Sequence, residues 1–293
     1  MNGVVVVDKP PGWTSHDVVN KVRRIAATRK VGHLGTLDPP ATGVLPLLLN
    51  RATRLAQYFG SNEKEYLAVI RFGWATNTYD ASGEPLSQPH SVALSPAEIE
   101  QALSGFRGTF LQTPPPVSAK KISGRPAYSF ARKNQPVEIE PVEVSVHEIE
   151  ILELFSDRVR VRVVASAGTY LRAIAHEAGL KLGCGAHLDW LRRTRSGPFR
   201  IEQARTLEEL EKLAASGELK QAVVPAAELL EEFPIEIVDR LTEAQIRNGR
   251  DFRVSPFRSR GSAQRVKAVN SEGELIAIGE LVLPNIYHPI LVL

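Results

Sequence analysis

One carboxylate stands out for chemistry. Asp38 lies in GHLGTLDPPATG, residues 32–43, five residues after His33 and directly before Pro39 and Pro40. The prolines fix the backbone and deny helix and central strand. Gly32, Gly35 and Gly43 let a neighbouring backbone or a ligand come close. A carboxylate held on such a turn can be a nucleophile, a general base, a helix cap or an ordinary turn aspartate. The residue types alone leave all four readings open.

Other chemistries are struck out by their signatures. There is no G-x-x-x-x-G-K-[ST] segment, and GHLGTLDPP does not match G-x-G-x-x-G. HEAGL at His176 begins like a zinc-protease helix but lacks the second histidine. VASAG around Ser166 lacks the first glycine of a nucleophile elbow. The single cysteine, Cys184, rules out an internal disulfide, a cysteine-built zinc site and the zinc deaminase pattern.

Composition bounds the rest. The chain has 293 residues, 43% hydrophobic and 24% charged, which suits a globular protein of one large domain and a small one. Net charge is only +3, but the basic residues are segregated. Residues 21–30 hold five and no acid, residues 191–200 hold four and no acid, and residues 247–260 hold five against Asp251 alone. Such clusters suit phosphate contacts or plain solvated faces. The N-terminus lacks a signal-peptide pattern and no stretch approaches a membrane span, so a cytoplasmic protein with no membrane contact is expected. Nothing in the sequence demands more than a monomer.

The elements that must carry Asp38 follow from periodicity. GVVVVDKP reads as a strand ended by Pro10, and Val18, Val19, Val22 and Ile25 give a helix capped by Thr14 or Ser15. VLPLLL reads as a buried strand, and RATRLAQYF as a helix with Ala52, Leu55, Ala56 and Phe59 inward. EYLAVIRFG alternates, with Tyr66, Ala68, Ile70 and Phe72 on one face. SPAEIEQAL starts a helix at a capping box, and residues 112–128 form a long proline-rich basic loop. Two strands follow, the second alternating Val159, Val161 and Val163 with Arg158, Arg160 and Arg162. GTYLRAIAHEAGLKLG turns helical, as does TLEELEKLAASG. Composition shifts near Phe233-Pro234, and a small, mostly β unit follows with two strands around a Ser-Glu-Gly turn.

GHLGTLDPPATGVLPLLL closely resembles the signature of TruB-type tRNA pseudouridine synthases. DKPPGWTSHDVV is similar to that family's first motif, and KEYLAVIRFGWATNTYDASG to its tyrosine-bearing block. QTPPPVSAKKISGRPAY resembles its RNA-contacting thumb loop. SAGTYLRAIAHEAGLKLGCGAHLDWLRRTRSGPF resembles its third block. The blocks stand in family order over roughly the first 200 residues.

The resemblance implies an α+β pseudouridine synthase fold, with a mixed, largely antiparallel central sheet and flanking helices. It implies a catalytic domain over 1–230, a thumb at about 112–128, and a small PUA-like RNA-binding domain over 234–293. The activity implied is conversion of the T-loop uridine of tRNA, position 55, to pseudouridine, with the T-arm stem-loop as partner and no metal or other cofactor. Asp38 matches the essential aspartate, Tyr66 the tyrosine that stacks on the base, and Arg172 the arginine paired with the aspartate. Tyr170 and Leu191 match pocket residues, and Lys9 and Pro10 support the site. His33 matches the histidine that fills the space a flipped base leaves. Taken singly, Arg172 reads first as a structural ion-pair residue and Tyr66 as a core aromatic, and His33 is equally a loop histidine. A non-catalytic RNA chaperone and a guide-dependent dyskerin-type synthase are the alternatives. The first would not need Asp38, Tyr66 and Arg172 together; the second normally carries a fuller C-terminal domain.

Overall fold

In a computed structural model of the chain, the structure describes residues 1–117, 121–122, 125–126, 139–254 and 263–293. Among these residues the strands of the large sheet are β1 (Gly3–Lys9), β2 (Val31–His33), β3 (Thr42–Leu49), β4 (Lys64–Phe72) and β5 (Gly108–Gln112). A two-stranded piece, β6 (Lys121–Ile122) with β7 (Arg125–Pro126), stands apart from it. The large sheet continues with β8 (Val142–Leu154), β9 (Arg158–Ala165), β10 (Ala186–Ser196), β11 (Phe199–Arg200) and β12 (Val223–Pro225). Its order is β12-β1-β3-β10-β4-β9-β8-β5, with β2 on β3 and β11 on β10. Every pairing is antiparallel except β3 with β10, which meet in parallel where Thr42 and Gly43 face Arg192 and Arg193. The mixed, largely antiparallel sheet expected from the sequence is therefore present.

Helices α1 (Ser15–Ile25), α2 (Pro96–Ser104), α3 (Leu171–Lys181) and α4 (Leu207–Ala215) accompany that sheet. α1 starts at a capping box in which Thr14 accepts from the Asp17 amide and the Asp17 carboxylate accepts from the Thr14 amide, satisfying two otherwise orphaned donors. Valines 18, 19 and 22 of α1 join Val5, Val7, Leu45, Leu47 and the inward faces of β4 and β9 in one core. The alternating burial of β4 puts Lys64, Tyr66, Ala68, Ile70 and Phe72 on its buried side.

A second core fills the other face of β1 and β3. Val4, Val6, Val44 and Leu48 pack there with Leu229, Leu230, Val269, Leu275, Ile278 and Leu291. The last five come from, or lead to, a second sheet of β13 (Ile235–Ile237), β14 (Phe252–Arg253), β15 (Arg265–Val269), β16 (Leu275–Leu283) and β17 (Ile286–Val292). Its order is β13-β15-β16-β17-β14, with helix α5 (Arg240–Arg247) beside it.

Four details depart from the sequence-based expectation. Residues Asn50–Tyr58 form a 3₁₀ helix, so the buried face recurs every third residue, at Ala52 and Leu55, and Ala56 is exposed. The first two residues of the supposed Gly-Pro turn, Gly32 and His33, belong to a strand, since Val31–His33 pairs with β3. The arginines of β9, which alternate with its buried valines, lie in a layer of ion pairs with Glu148, Glu150, Glu153, Asp157 and Asp189 across the sheet surface. Most important, AHLDWLRRTRS is not a basic surface segment but a central strand. Its alternation is broken by irregularities at Leu188/Trp190 and Arg193/Arg195, which hides the period of two.

Candidate active site

The loop between β2 and β3 carries Asp38, and three interactions hold it. Lys9, fully buried at the end of β1, donates to the carbonyls of Pro10 (2.9 Å), Pro39 (3.0 Å) and Ala41 (2.6 Å). Ser15 Oγ, in the first turn of α1, donates to the Leu37 carbonyl at 3.0 Å and accepts from the Leu37 amide at 2.9 Å. Arg193, on β10, donates Nε to Val44 O at 2.7 Å, Nη1 to Thr36 O at 3.3 Å and Nη2 to Gly35 O at 3.1 Å. Gly43 must be glycine: its φ is +100° and a Cβ would lie 2.2 Å from the Arg193 carbonyl. The stiffness suggested by the prolines thus comes mostly from side chains gripping carbonyls of the loop.

Arg172 faces the loop from the first turn of α3. Its Nε lies 2.9 Å from Asp38 Oδ2 and its Nη1 lies 3.7 Å from Asp80 Oδ2. Nη1 also donates to Thr78 O at 3.1 Å and Nη2 to Val117 O at 3.0 Å. The guanidinium is almost wholly buried and is fixed on every side. Burial pushes the Asp38 carboxyl above its ordinary value, and Arg172 opposes that shift. Asp38 keeps 37% side-chain exposure, so the carboxylate is packed from behind yet open to the cleft in front.

The cleft has a volume of about 620 Å³, the size of a small-molecule or nucleoside site. His33, Asp38, Tyr66, Tyr170, Arg172 and Leu191 all line it. Six of the eight residues chosen from the sequence therefore meet in one cavity. The other two act from behind: Lys9 grips the loop, and Pro10 supplies one of its carbonyls. Tyr66 stands directly opposite Arg193 in the β4–β10 register, and its hydroxyl interacts with that guanidinium. Tyr170 precedes α3 and is held by Gln112, whose amide donates to Tyr170 O (3.1 Å) and accepts from Tyr170 N (2.8 Å). Burial, and after it the Arg193 charge, lowers the pKa of His33.

Sequence reasoning missed four residues of this constellation. Asp80 is buried against Arg172, and Gln112 orients Tyr170. Lys64 and Arg193 are buried cations beside the loop. For Lys64 a signal was available, two residues before Tyr66 on an alternating strand. Arg193 had none, because it sat in a run of arginines. Of the supposed phosphate contacts at 191–200, Arg200 stays exposed, and the other three arginines are engaged within the protein. Arg193 is interior, Arg192 pairs with Asp8 at 2.7 Å and Arg195 lies 3.5 Å from Glu63. In 21–30, Arg24, Arg29 and Lys30 stay exposed, whereas Lys21 pairs with Glu211. Residues 118–120, 123–124 and 127–138, which take in part of the basic segment 120–125 and part of the thumb at 112–128, and residues 255–262 lie outside the described residues. No cluster of His, Cys, Asp and Glu able to hold a metal occurs among the described residues, and no helix there is long and apolar enough to cross a membrane.

Comparison with known proteins gives this geometry a family. The model for the N-terminal domain of TruB family pseudouridylate synthases matches residues 23–171. The model for the tRNA pseudouridylate synthase B C-terminal domain matches residues 172–231. The chain belongs to the TruB family of pseudouridylate synthases. TruB relatives match along its whole length. A tRNA pseudouridine synthase B of Solibacter usitatus (strain Ellin6076) is 59% identical over 293 residues, covering all of both chains. One of Thermobifida fusca (strain YX) is 42% identical, covering 95% of this chain and 94% of its own. Among solved structures, an H/ACA RNP bound to a substrate RNA containing 2′-deoxyuridine superposes with a TM-score of 0.70 at 28% identity. That match covers 99% of this chain and 84% of the other. A Cbf5–Nop10–Gar1 complex gives 0.69 at 30% identity, over 97% and 79% of the two chains. The TruB chain described here is thus an isomerase of RNA uridines.

Proposed function

We propose that the protein converts the T-loop uridine of tRNA, position 55, to pseudouridine, with Asp38 as the essential carboxylate. The observation that carries this reading is the Asp38–Arg172 pair at the mouth of a nucleoside-sized cleft, with Tyr66 in the same wall. The full-length likeness to tRNA pseudouridine synthase B favours a tRNA substrate over a guide-directed one. The reaction breaks the C1′–N1 bond, turns the uracil and forms C1′–C5, after which the C5 proton leaves. It consumes no electrons and no phosphoryl donor.

Each residue has a physical task. A uridine inside folded RNA must leave its stack to be reached, so the target base flips into the cleft. Tyr66 offers it a flat face and a phenol near C5. Arg172 sets its guanidinium against the effect of burial on Asp38 and aims one carboxylate oxygen into the cleft. Tyr170 and Leu191 form walls that keep water away. His33, whose pKa burial lowers, fits the space in the RNA that the base vacates. Lys9, with the Pro10 carbonyl, keeps the loop in place. We assign residues 1–230 to the catalytic domain, with the thumb at 112–128. Residues 234–293 form a small PUA-like unit that extends the RNA contact, and the protein works as a cytoplasmic monomer.

The test is release of tritium from uridine C5 of tRNA. The native protein should release one equivalent per tRNA, and Asp38→Asn should release none above background. Replacing the position-55 uridine should abolish release. A native protein that releases no tritium overturns the reading, and equal release by Asp38→Asn overturns the role of Asp38.

A further inference from the structure

Charge is not balanced around this cleft. Four cations, Lys9, Lys64, Arg172 and Arg193, are buried at or behind its wall, against two carboxylates, Asp38 and Asp80. Both carboxylates belong to Arg172. Lys9 spends its three donors on three carbonyls and lies within the field of Asp38. Arg193 directs four of its five donors at three carbonyls and the Tyr66 phenol. Lys64 differs. It is 7% exposed, lines the cleft, and donates once, to Asn62 O at 2.9 Å. Two of its three N–H donors are unspent among the described residues. The charged group that acts on it is another cation, Arg193.

The backbone makes room for this arrangement. Gly35 has φ +117°, and a Cβ there would meet Lys64 Cε at 3.2 Å, Arg193 Nη1 at 3.7 Å and Lys64 Nζ at 4.0 Å. Two like charges are thus brought together beneath the loop that carries Asp38. Removing a cation from water without a counter-charge is strongly unfavourable. Burial and Arg193 together bring the Lys64 ammonium down to about 8. A lysine kept there with spare donors is suited to an anion that arrives from outside.

We propose that Lys64, backed by the charge of Arg193, is a subsite for a phosphodiester group next to the flipped uridine. This rests on the reading of the cleft as a uridine site. Lys64 and Tyr66 share one face of β4, about 7 Å apart along the strand. A nucleotide whose base lies against Tyr66 carries its own backbone phosphates within that reach. The two spare ammonium donors meet two phosphate oxygens, and the phosphate supplies the counter-charge that the protein lacks. The subsite carries no sequence information; it fixes where the nucleotide enters.

Binding of T-arm stem-loop RNAs in which single linkages are methylphosphonates tests this. Neutralising a linkage flanking the target uridine should weaken binding to the native protein about tenfold. Lys64→Met should weaken the all-phosphate RNA similarly, lower the slope of log K against log salt by about one, and make the sensitive linkage insensitive. Lys64→Arg should keep the sensitivity. If no linkage flanking the uridine matters to the native protein, the subsite is overturned, whether or not Lys64→Met folds. It is overturned equally if the linkage matters as much in Lys64→Met as in the native protein. Tritium release by the native protein on the all-phosphate RNA keeps the two ideas separate: its absence sinks the uridine reading, whatever the linkages show.

Discussion

The two sides of the cleft solve the problem of buried charge in opposite ways. On the α3 side, Arg172 lies between Asp38 and Asp80, and its remaining donors reach the carbonyls of Thr78 and Val117. That side is compensated by the protein itself. On the β4–β10 side, Lys64 and Arg193 face carbonyls and a phenol, with no carboxylate within the pair. The compensated side can hold a defined protonation state with the cleft empty, which suits chemistry. The uncompensated side is complete only with an anion present, which suits binding. Substitutions should therefore act differently on the two sides: in turnover and stability on the first, in RNA affinity on the second.

The largest effect is expected at Arg172. Arg172→Met leaves Asp38 and Asp80 without their cation, and breaking a buried pair from one side costs about 3 kcal/mol or more. Single-turnover rates should fall by about 10³-fold, with stability down in urea unfolding, while RNA affinity changes little. A variant that loses affinity and keeps its rate would break the division between the two sides.

The same pair sets a pH dependence. Burial raises the Asp38 pKa above 3.8, so the folded protein holds that proton more tightly than the unfolded chain does. The ionised form is lost as pH falls through the raised value, and the rate should fall with it. The acid limb of the single-turnover profile therefore lies above pH 3.8 in the native protein. Because Arg172 opposes the shift, the residual activity of Arg172→Met should show its acid limb at higher pH still. A limb that moves down in that variant would contradict the pairing.

Arg193→Met comes next. It orphans the carbonyls of Gly35, Thr36 and Val44, two of them in the Asp38 loop, at a cost of about 2 kcal/mol. Both rate and affinity should drop, about tenfold each, because Arg193 serves the loop and the Lys64 charge at once. A drop in stability alone, with rate and affinity kept, would reduce Arg193 to a structural tie.

These two sides were not equally legible in the sequence. The segments that carry Asp38, Tyr66 and Arg172 show clear local patterns, a Gly-Pro turn, an alternating strand and a helix start, but only the resemblance to the TruB family singles these three residues out as site residues. The capped helices α1, α2 and α4 were legible from local patterns too, since their capping boxes are local. Strand β10 was hidden because two irregularities break its alternation, and Arg193 with it, because an arginine inside an Arg-Arg-Thr-Arg run reads as surface. The 3₁₀ turn at Asn50–Tyr58 was misread as α because both periods place Ala52 and Leu55 inward; they part only at Ala56. Asp80 and Gln112 depend on contacts with residues 92 and 58 positions away, which no local pattern encodes.

Lys64→Met gives the smallest effect and the sharpest contrast. An isolated buried cation costs free energy in the empty protein, so an apolar side chain of similar length should stabilise it by about 1 kcal/mol. The sign follows from linkage. The folded pKa of Lys64, about 8, lies below its ordinary value of 10.5. Between those values the unfolded chain binds the extra proton, so the native protein gains stability from this group as pH rises. Below about pH 8 both states are charged, and the folded one bears the full cost of burial. The advantage of Lys64→Met in urea unfolding should therefore be greatest below pH 8 and should fade as pH approaches 10.5. Arg172→Met should instead be destabilised at neutral pH. A variant at Lys64 that is destabilised at neutral pH would mean that the lysine is already compensated inside the protein, and the asymmetry between the two sides of the cleft would be gone.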